Sequence, residues 1–193
     1  MTVYDFREKY YETINGEKIL FPSETFGHNQ IKGHLIMLLG LHVKKNRSGF
    51  VFMTLQTHLP DGNIFYPDFM FIDKAQEKLL IENPHKPFYG VPDMVAEIFS
   101  RSTMKRDLGV KKDVYERNGV KEYWMIDPWR ESVSVYLLRD GKYFLDEIYF
   151  NYTDDELAEL PEEERAEVKL EVPVTILDGF KIKIRNIFSR YFE

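Results

Sequence analysis

The sequence predicts an α/β protein in which helices flank a mixed β-sheet and a β-hairpin opens the chain. Asn15 and Gly16 separate two short strand-like segments, and this pair tolerates the positive φ angles of a type I′ turn. Apolar residues recur at helical spacing from position 24 to about position 45, which predicts a long helix. Residues 94–127 have the pattern strand, helix, strand, an order compatible with a crossover between parallel strands.

The first long helix has a recognisable start. Ser23 is predicted as its N-cap, and Glu24 lies at the positive end of the helix dipole. The apolar residues that recur along it are Ile31, Leu35, Leu38, Leu39 and Leu41. Their spacing predicts an amphipathic helix that ends near Lys45.

Two strands and a buried strand follow this helix. The segments GFVFMTLQTHL and NIFYPDFMFI are joined at Pro60-Asp61-Gly62, a strong turn signal. The segment DMVAEIF is short and apolar, and we expect it to be buried.

The second half of the chain adds another helix and more strands. Ser102 or Thr103 is predicted to cap a helix that runs to Asn118, with Gly119 as its C-terminal stop. The segments KEYWMID and SVSVYLL predict a buried strand and a half-exposed strand. The tail VTILDGFKIKIRNIF predicts two short strands and a terminal turn around Asp178-Gly179.

Length and composition predict one folded domain over residues 1–193, since 44% of the residues are hydrophobic and 15% aromatic. The chain has no cysteine, so disulfides, thiolate catalysis and cysteine–zinc sites are excluded, and a metal would need oxygen or histidine ligands. No apolar run approaches the ~20 residues of a membrane span. The first residues lack the apolar core of a signal peptide, and we expect a cytoplasmic protein.

The net charge of −6 is unevenly distributed. Residues 154–171, here called the acidic arm, contain nine acids and two bases, and the rest of the chain has a net charge of +1. Residues 25–50 contain four Lys/Arg and no acid, and residues 101–121 contain seven Lys/Arg and three acids. A basic face beside an acidic arm is compatible with phosphate binding, and equally with ordinary solvated helix surfaces.

Three residues in the middle of the chain form the candidate site. Asp68 and Glu97 lie on or beside apolar strand segments, and Lys111 lies on the helix that follows. Two acids and one amine can hold a hard cation and activate a water for phosphodiester hydrolysis. Glu97 is the most informative, because a carboxylate in a buried strand must be paired, hydrogen-bonded or metal-bound.

Each of the three residues also has a structural interpretation. Asp68 could satisfy backbone amides at a turn, and Glu97 could form a structural salt bridge. Lys111 could form an exposed ion pair with Asp107, one helical turn before it, while Tyr115 lies one turn after it.

The chain resembles the Uma-type restriction endonuclease family, a branch of the PD-(D/E)XK nuclease superfamily. The resemblance covers residues 10–140 and the GFKIKIRNIF tail. It rests on NGEKI, His28, PDFMFI, VPDMVAEIFSRST with Asp107, Lys111 and Tyr115, and GVKEYWMIDP. It implies a restriction endonuclease-like fold and a metal-dependent DNA endonuclease activity.

The resemblance also implies roles for residues. Asp68 and Glu97 match the metal ligands of the family. The superfamily usually has its basic residue two positions after the second acid, where this chain has Phe99. The Uma-type branch supplies the amine from the next helix, which matches Lys111; Lys112 is the second choice.

Further groups complete the predicted site. Mg²⁺ or Mn²⁺ would be bound by Asp68, Glu97 and the main-chain carbonyl of Ile98. Lys111 would orient the water or stabilise developing charge, and Asp107 would hold the lysine in position. Members of the superfamily often have a further acid or polar group on the first helix, for which Glu24 and His28 are the candidates. His28 is preferred because it matches the family position, although a local hydrogen bond at the helix start explains it equally well.

DNA is the predicted partner, with no membrane contact and with a homodimer as a possible arrangement. The basic residues predicted to contact its backbone are Lys44, Lys45, Arg101, Lys105 and Arg106. Two other classes of function stay open: a nucleic-acid-binding module that has lost cleavage, and a partner-binding protein with the acidic arm as its interface. A branched-DNA resolvase or repair nuclease is the alternative enzyme.

Overall fold

The structure, a computed structural model, describes residues 11–20, 24–82, 84–100 and 107–189, with the main chain alone for residues 107 and 108. The strands, in chain order, are β1 (Tyr11–Ile14), β2 (Glu17–Leu20), β3 (Gly49–Phe52), β4 (Thr57–His58), β5 (Ile64–Phe65), β6 (Phe69–Asp73), β7 (Phe88–Tyr89), β8 (Met94–Ile98), β9 (Glu122–Asp127), β10 (Ser132–Arg139), β11 (Lys142–Phe150), β12 (Glu171–Pro173) and β13 (Lys181–Lys183). The α-helices are α1 (Phe26–Asn46), α2 (Glu77–Ile81), α3 (Lys112–Asn118), α4 (Asp154–Glu159), α5 (Glu162–Glu167) and α6 (Arg185–Phe188). A 3₁₀ turn, Lys74–Gln76, precedes α2, and a π-helical turn, Asp107–Lys111, precedes α3.

A six-stranded mixed sheet in the order β11-β10-β9-β8-β6-β3 forms the centre of the described molecule. Strands β8 and β9 are parallel, with Glu97 opposite Met125, whereas the other neighbours in this sheet are antiparallel. The predicted crossover between parallel strands is therefore confirmed. A second sheet has the order β2-β1-β5-β4-β7, and β12 pairs with β13.

The central sheet separates two apolar cores. On one face, Leu35 and Leu39 of α1 pack against Phe69 and Phe71 of β6. On the other face, α3 and the smaller sheet pack against Met70, Ile72 and Val95, among others. This arrangement confirms the predicted mixed sheet flanked by helices.

The N-terminal hairpin forms as predicted. Asn15 (φ 50°) and Gly16 (φ 87°) make its turn, and Ile14 pairs with Glu17. Side chains alternate along β1, so Glu12 points to the same side as the buried Ile14. The hairpin therefore directs a carboxylate into the protein.

Helix α1 begins later than predicted. Its N-cap is Thr25, whose hydroxyl accepts a hydrogen bond from the main-chain N–H of His28 at 3.3 Å; the predicted cap, Ser23, lies outside the described residues. Glu24 therefore precedes the helix. Although α1 is long, no helix in the described ranges has both the length and the apolar composition of a membrane span.

The two long strands predicted around Pro60-Asp61-Gly62 are each broken. The first gives β3 in the central sheet and then β4 in the smaller sheet. The second gives β5 in the smaller sheet and then β6 in the central sheet. Thr54 lies at the first break with a φ of 53°, a conformation that a β-branched residue rarely adopts. The polypeptide thus changes sheets immediately before Asp68.

The C-terminal third also differs from the prediction. Strand β11, which pairs with β10 through an Asp140-Gly141 turn, was not predicted, although that pair is itself a hairpin signal. The acidic arm contains α4 and α5, and Thr153 and Glu156 form a capping box at the start of α4. In the tail, the predicted turn at Asp178-Gly179 is present between β12 and β13. Strand β12 begins at Glu171, earlier than expected, and the short helix α6, which was not predicted, follows β13.

Candidate active site

Glu97, Lys111 and Tyr115 form the first of two buried polar groups. Strand β8 directs Glu97 to the sheet face of Val95, against which α3 packs. Lys111 Nζ lies 3.2 Å from Glu97 Oε1, and the Tyr115 hydroxyl donates to the same oxygen at 2.7 Å. The helix thus supplies an amine and a hydroxyl to one strand carboxylate.

A second carboxylate completes this group from the N-terminal hairpin. Glu12, fully buried, has its Oε1 2.7 Å from Lys111 Nζ. The Phe65 ring lies 5.4 Å from the same amine, so Lys111 lies between two carboxylates against an aromatic face. Two adjacent negative charges favour the ammonium form of the amine.

Tyr115 is a donor and not a base. Burial, and then the negative charge of Glu97, raise its pKa well above the usual value for tyrosine. Its hydroxyl therefore keeps its proton across the physiological range and holds Glu97 in one orientation.

Asp68 is the centre of the second group. Its Oδ2 accepts the main-chain N–H of Ile98 at 2.8 Å, next to Glu97 in the chain. Its Oδ1 lies 2.8 Å from His28 Nε2 in the first turn of α1. A residue just before β6 thereby connects the carboxyl end of β8 with the start of α1.

Two residues of opposite charge surround Asp68 on the α1 side. Lys32 Nζ lies 2.7 Å from Glu24 Oε1 and 3.9 Å from Asp68 Oδ1. Ligand atoms of Glu24, His28 and Asp68 all lie within 4.8 Å of one another. Two carboxylates and an imidazole at this spacing are a donor set that a divalent cation can use.

Together the two groups contain more carboxylates than amines. The acids are Glu12, Glu24, Asp68 and Glu97, and the amines are Lys32 and Lys111. Carboxylate oxygens are the ligands that hard cations prefer, so this composition suits a divalent cation.

The structure brings together most of the predicted site residues. Asp68, Glu97, Lys111, Tyr115 and His28 are all in the two groups, and Ile98 touches Asp68 through its N–H. The metal-binding role of the Ile98 carbonyl stays a prediction. Lys112 lies elsewhere, 4.4 Å from the centre of the Tyr136 ring.

Of the five residues predicted to contact DNA, the structure describes Lys44 and Lys45. Lys44 and Lys45 lie in the last turn of α1, about 25 Å along the helix from His28 at 1.5 Å per residue. Arg101, Lys105 and Arg106 lie outside the described residues, as does the side chain of Asp107. Contact between these basic residues and DNA stays a prediction.

Three further residues of the site were not predicted. Glu12 lies on the same strand face as Ile14 and pairs with Ile19 of β2. A carboxylate on an otherwise apolar strand face is a signal that could have identified it. Lys32 was counted with the basic surface, yet it precedes Leu35 by one helical turn and is 3% exposed. For Thr54, the sequence contains no comparable signal.

A second Pro-Asp pair shows why such a pair alone does not define the site. Asp93 is also buried, but its Oδ2 accepts from the main-chain N–H of Asp73 and from Gln76. Its Oδ1 accepts from Lys121 at 2.7 Å. Asp93 therefore connects loop and strand ends, whereas Asp68 lies at the centre of the second polar group.

The fold is that of a nuclease-like α/β protein. It matches a solved structure from Anabaena variabilis, titled a "putative nuclease belonging to DUF820", with a TM-score of 0.72, 20% identity, and coverage of 94% of this chain and 91% of that chain. At this identity the likeness concerns the fold. A comparison with curated proteins returns no match.

The chain belongs to the Uma2 family, described as "Putative restriction endonuclease", whose sequence model matches residues 2–174. The predicted family resemblance is thereby confirmed. The match extends beyond residues 10–140, the main span of the predicted resemblance, on both sides, while the GFKIKIRNIF tail lies past its end.

Proposed function

We propose that this protein is a metal-dependent DNA endonuclease that hydrolyses phosphodiester bonds. The observation that carries the proposal is the burial of Asp68, Glu97 and Lys111 around the end of β8, where Lys111 contacts Glu97 and Asp68 accepts the main-chain N–H of Ile98. Membership of a family described as restriction endonucleases supports the nuclease class. Metal dependence and DNA as substrate go beyond that class and rest on the chemistry of the site.

Mg²⁺ or Mn²⁺ fits the donors of this site. Asp68, Glu97 and the Ile98 carbonyl would bind it, because oxygen ligands suit hard cations. When bound, such an ion supplies Lewis acidity toward phosphate oxygens and acidifies water.

The side chains around the ligands have positioning and electrostatic roles. Lys111, held by Glu12 and Glu97, stays cationic, so it orients water or stabilises charge on the phosphate and does not remove a proton. Tyr115 fixes Glu97, and His28 fixes Asp68 through its Oδ1. Each side chain that would contact the metal ion or the phosphate thus has a partner that fixes its orientation.

Cleavage of supercoiled plasmid by the purified protein tests the proposal. We expect nicking or linearisation with Mg²⁺ or Mn²⁺ and none with EDTA. Asp68→Ala and Lys111→Ala should each lower the rate by about 100-fold or more, because each removes a group that acts on the reacting phosphate.

Lys112→Met is the matched control for the lysine change, since Lys112 lies over Tyr136 and away from both carboxylates. It should cleave at the rate of the unmodified protein. Circular dichroism establishes that the variants are folded. Full activity in folded Asp68→Ala and Lys111→Ala would contradict the assignment of these two residues to the active site.

One observation favours a second candidate, a nucleic-acid-binding module without cleavage. Lys111 is 2% exposed and is already paired with Glu12 and Glu97, an arrangement that a structural salt bridge also explains. Calorimetric titration with Mg²⁺ separates the candidates. Heat of binding that disappears in Asp68→Ala supports the nuclease, and absence of binding supports the inert module.

A further inference from the structure

Lys32 is a second buried amine beside the proposed metal site. It lies on the inward stripe of α1 with Leu35 and Leu39, where an apolar residue is the ordinary choice. Its Nζ contacts Glu24 Oε1 at 2.7 Å and lies 3.9 Å from Asp68 Oδ1. A buried lysine at this position requires partners, and its partners are the donors of the Glu24–His28–Asp68 group.

The loop after β3 holds this amine in place. Thr54 adopts a φ of 53°, and its hydroxyl accepts a hydrogen bond from Lys32 Nζ. The main-chain N–H of Thr54 donates to the carbonyl of Pro67 at 2.9 Å, one residue before Asp68. A strained β-branched residue persists only where the surroundings determine its conformation. One loop thus positions both Lys32 and the polypeptide at Asp68.

We propose that Lys32 takes the place of a second divalent cation, so that the site holds a single metal ion. This rests on the proposed function. Nucleases with two metal ions place them ~3.5–4 Å apart. Here Asp68 belongs to the Glu24–His28–Asp68 group, and its Oδ2 also accepts the main-chain N–H of Ile98, next to Glu97. Its Glu97 side supplies ligands for one ion, and its Glu24 side already holds an ammonium.

Charge explains why the ammonium excludes a second ion. The Glu24–His28–Asp68 group meets the spacing that a cation needs, with ligand atoms within 4.8 Å. The Lys32 ammonium lies between the two carboxylates of this group, so a divalent ion there would have to displace it. Lys111, in contrast, lies between Glu97 and Glu12, a carboxylate outside the proposed ligand set. Lys32 therefore neutralises Glu24 and leaves Asp68 to the ion on the Glu97 side.

The experiment counts Mn²⁺ ions per chain by isothermal titration calorimetry and by equilibrium dialysis of the full-length protein. We expect one ion in the unmodified protein and two in Lys32→Met, because methionine removes the charge at similar volume. Glu24→Gln combined with Lys32→Met should return the count to one. Lys181→Met, which changes an exposed lysine of β13, is the matched control and should stay at one.

Ligand variants locate the ion. In the unmodified background, Glu97→Gln should weaken Mn²⁺ binding and Glu24→Gln should leave it nearly unchanged. Two ions in the unmodified protein, one ion in Lys32→Met, or binding that depends on Glu24 and not on Glu97 would each overturn the inference. Lys32→Gln, which keeps a donor for Thr54, replaces Lys32→Met if the latter does not fold.

The count also separates this inference from the proposed function. One ion in both the unmodified protein and Lys32→Met would overturn the role of Lys32 and leave the metal-dependent nuclease standing. Binding of no ion by either protein would overturn the metal dependence, and the inference about Lys32 with it.

Discussion

Lys111 is buried in an ion group, so its contribution to stability must be separated from its proposed role in the chemistry. Its ammonium lies between Glu12 Oε1 at 2.7 Å and Glu97 Oε1 at 3.2 Å, and all three side chains are buried. Removal of one partner from a buried ion group is costly, because the remaining charges lose their compensation. Loss of activity on mutation is therefore ambiguous unless the charge balance is restored.

A pair of variants resolves this ambiguity. Lys111→Met should lower the free energy of unfolding by roughly 3 kcal/mol or more, because Glu12 and Glu97 are left facing each other. Adding Glu12→Gln should recover much of that loss while cleavage stays absent. Urea denaturation and plasmid cleavage give the two readouts. If the double variant regains cleavage, the amine has only a structural role.

At the scale of elements, the hairpin β10–β11 holds the helix that carries the site. Glu116 of α3 accepts from the main-chain N–H of Tyr143 at 2.6 Å and from Lys142 Nζ at 2.9 Å. Both hydrogen bonds lower the pKa of Glu116 below its usual value, and the bond from the Tyr143 N–H has the larger effect. Helix α3 carries Tyr115 and continues the π-helical turn that ends at Lys111, and both side chains contact Glu97. The contact between Glu116 and β11 therefore supports the geometry of the site.

Glu116→Gln tests that contact through pH. A carboxyl group whose pKa is lowered by folding contributes stability that is present above its unfolded pKa of ~4.3 and is lost as pH falls through the folded value. We expect Glu116→Gln to lower the Tm at neutral pH by a few degrees, with a difference that shrinks below pH ~4. Thermal melts between pH 3 and pH 8 measure it.

The matched control is Glu163→Gln on the exposed acidic arm, which should leave the Tm unchanged throughout. A Tm difference for Glu116→Gln that stays constant down to pH 3 would contradict the assigned ion pair and hydrogen bond.

At the scale of the whole molecule, charge is separated. The acidic arm forms α4 and α5 and is tied to the rest by Arg185 to Asp154 and by Lys169 to Glu147. Lys44 and Lys45 lie in the last turn of α1, opposite the end that carries His28. Helix α1 would therefore connect a metal site at one end with a phosphate contact at the other.

Salt dependence tests the basic end of α1. DNA affinity should fall steeply as salt rises, because each phosphate contact releases counterions. Lys44→Gln with Lys45→Gln should reduce the slope of log affinity against log salt by about two. Fluorescence anisotropy with a labelled duplex measures the slope. An unchanged slope would show that Lys44 and Lys45 do not contact the DNA phosphates.

The corresponding change on β13, Lys181→Gln with Lys183→Gln, removes the same charge from a different exposed surface. It should leave the slope close to that of the unmodified protein. Equal effects from both pairs would indicate dependence on net charge without a defined contact.

Local sequence signals predicted the elements that such signals can specify. The Asn15-Gly16 turn and the crossover from β8 to β9 follow from turn chemistry and hydrophobic patterning, and both formed as predicted. The interruption at Thr54 and the π-helical turn at Asp107–Lys111 were not predicted. Both are conformations that the surrounding structure imposes against local preference.

The sequence by itself determined that Glu97 would need a partner, because a carboxylate in an apolar strand cannot stay buried uncompensated. It also pointed to Lys111, since Phe99 occupies the usual basic position of the superfamily. Only the tertiary structure decided which groups surround them. Glu12 comes from a hairpin 85 residues before Glu97, and Lys32 comes from a helix on the other face of the sheet. Contacts between such distant segments depend on how the layers pack, and no local pattern encodes that.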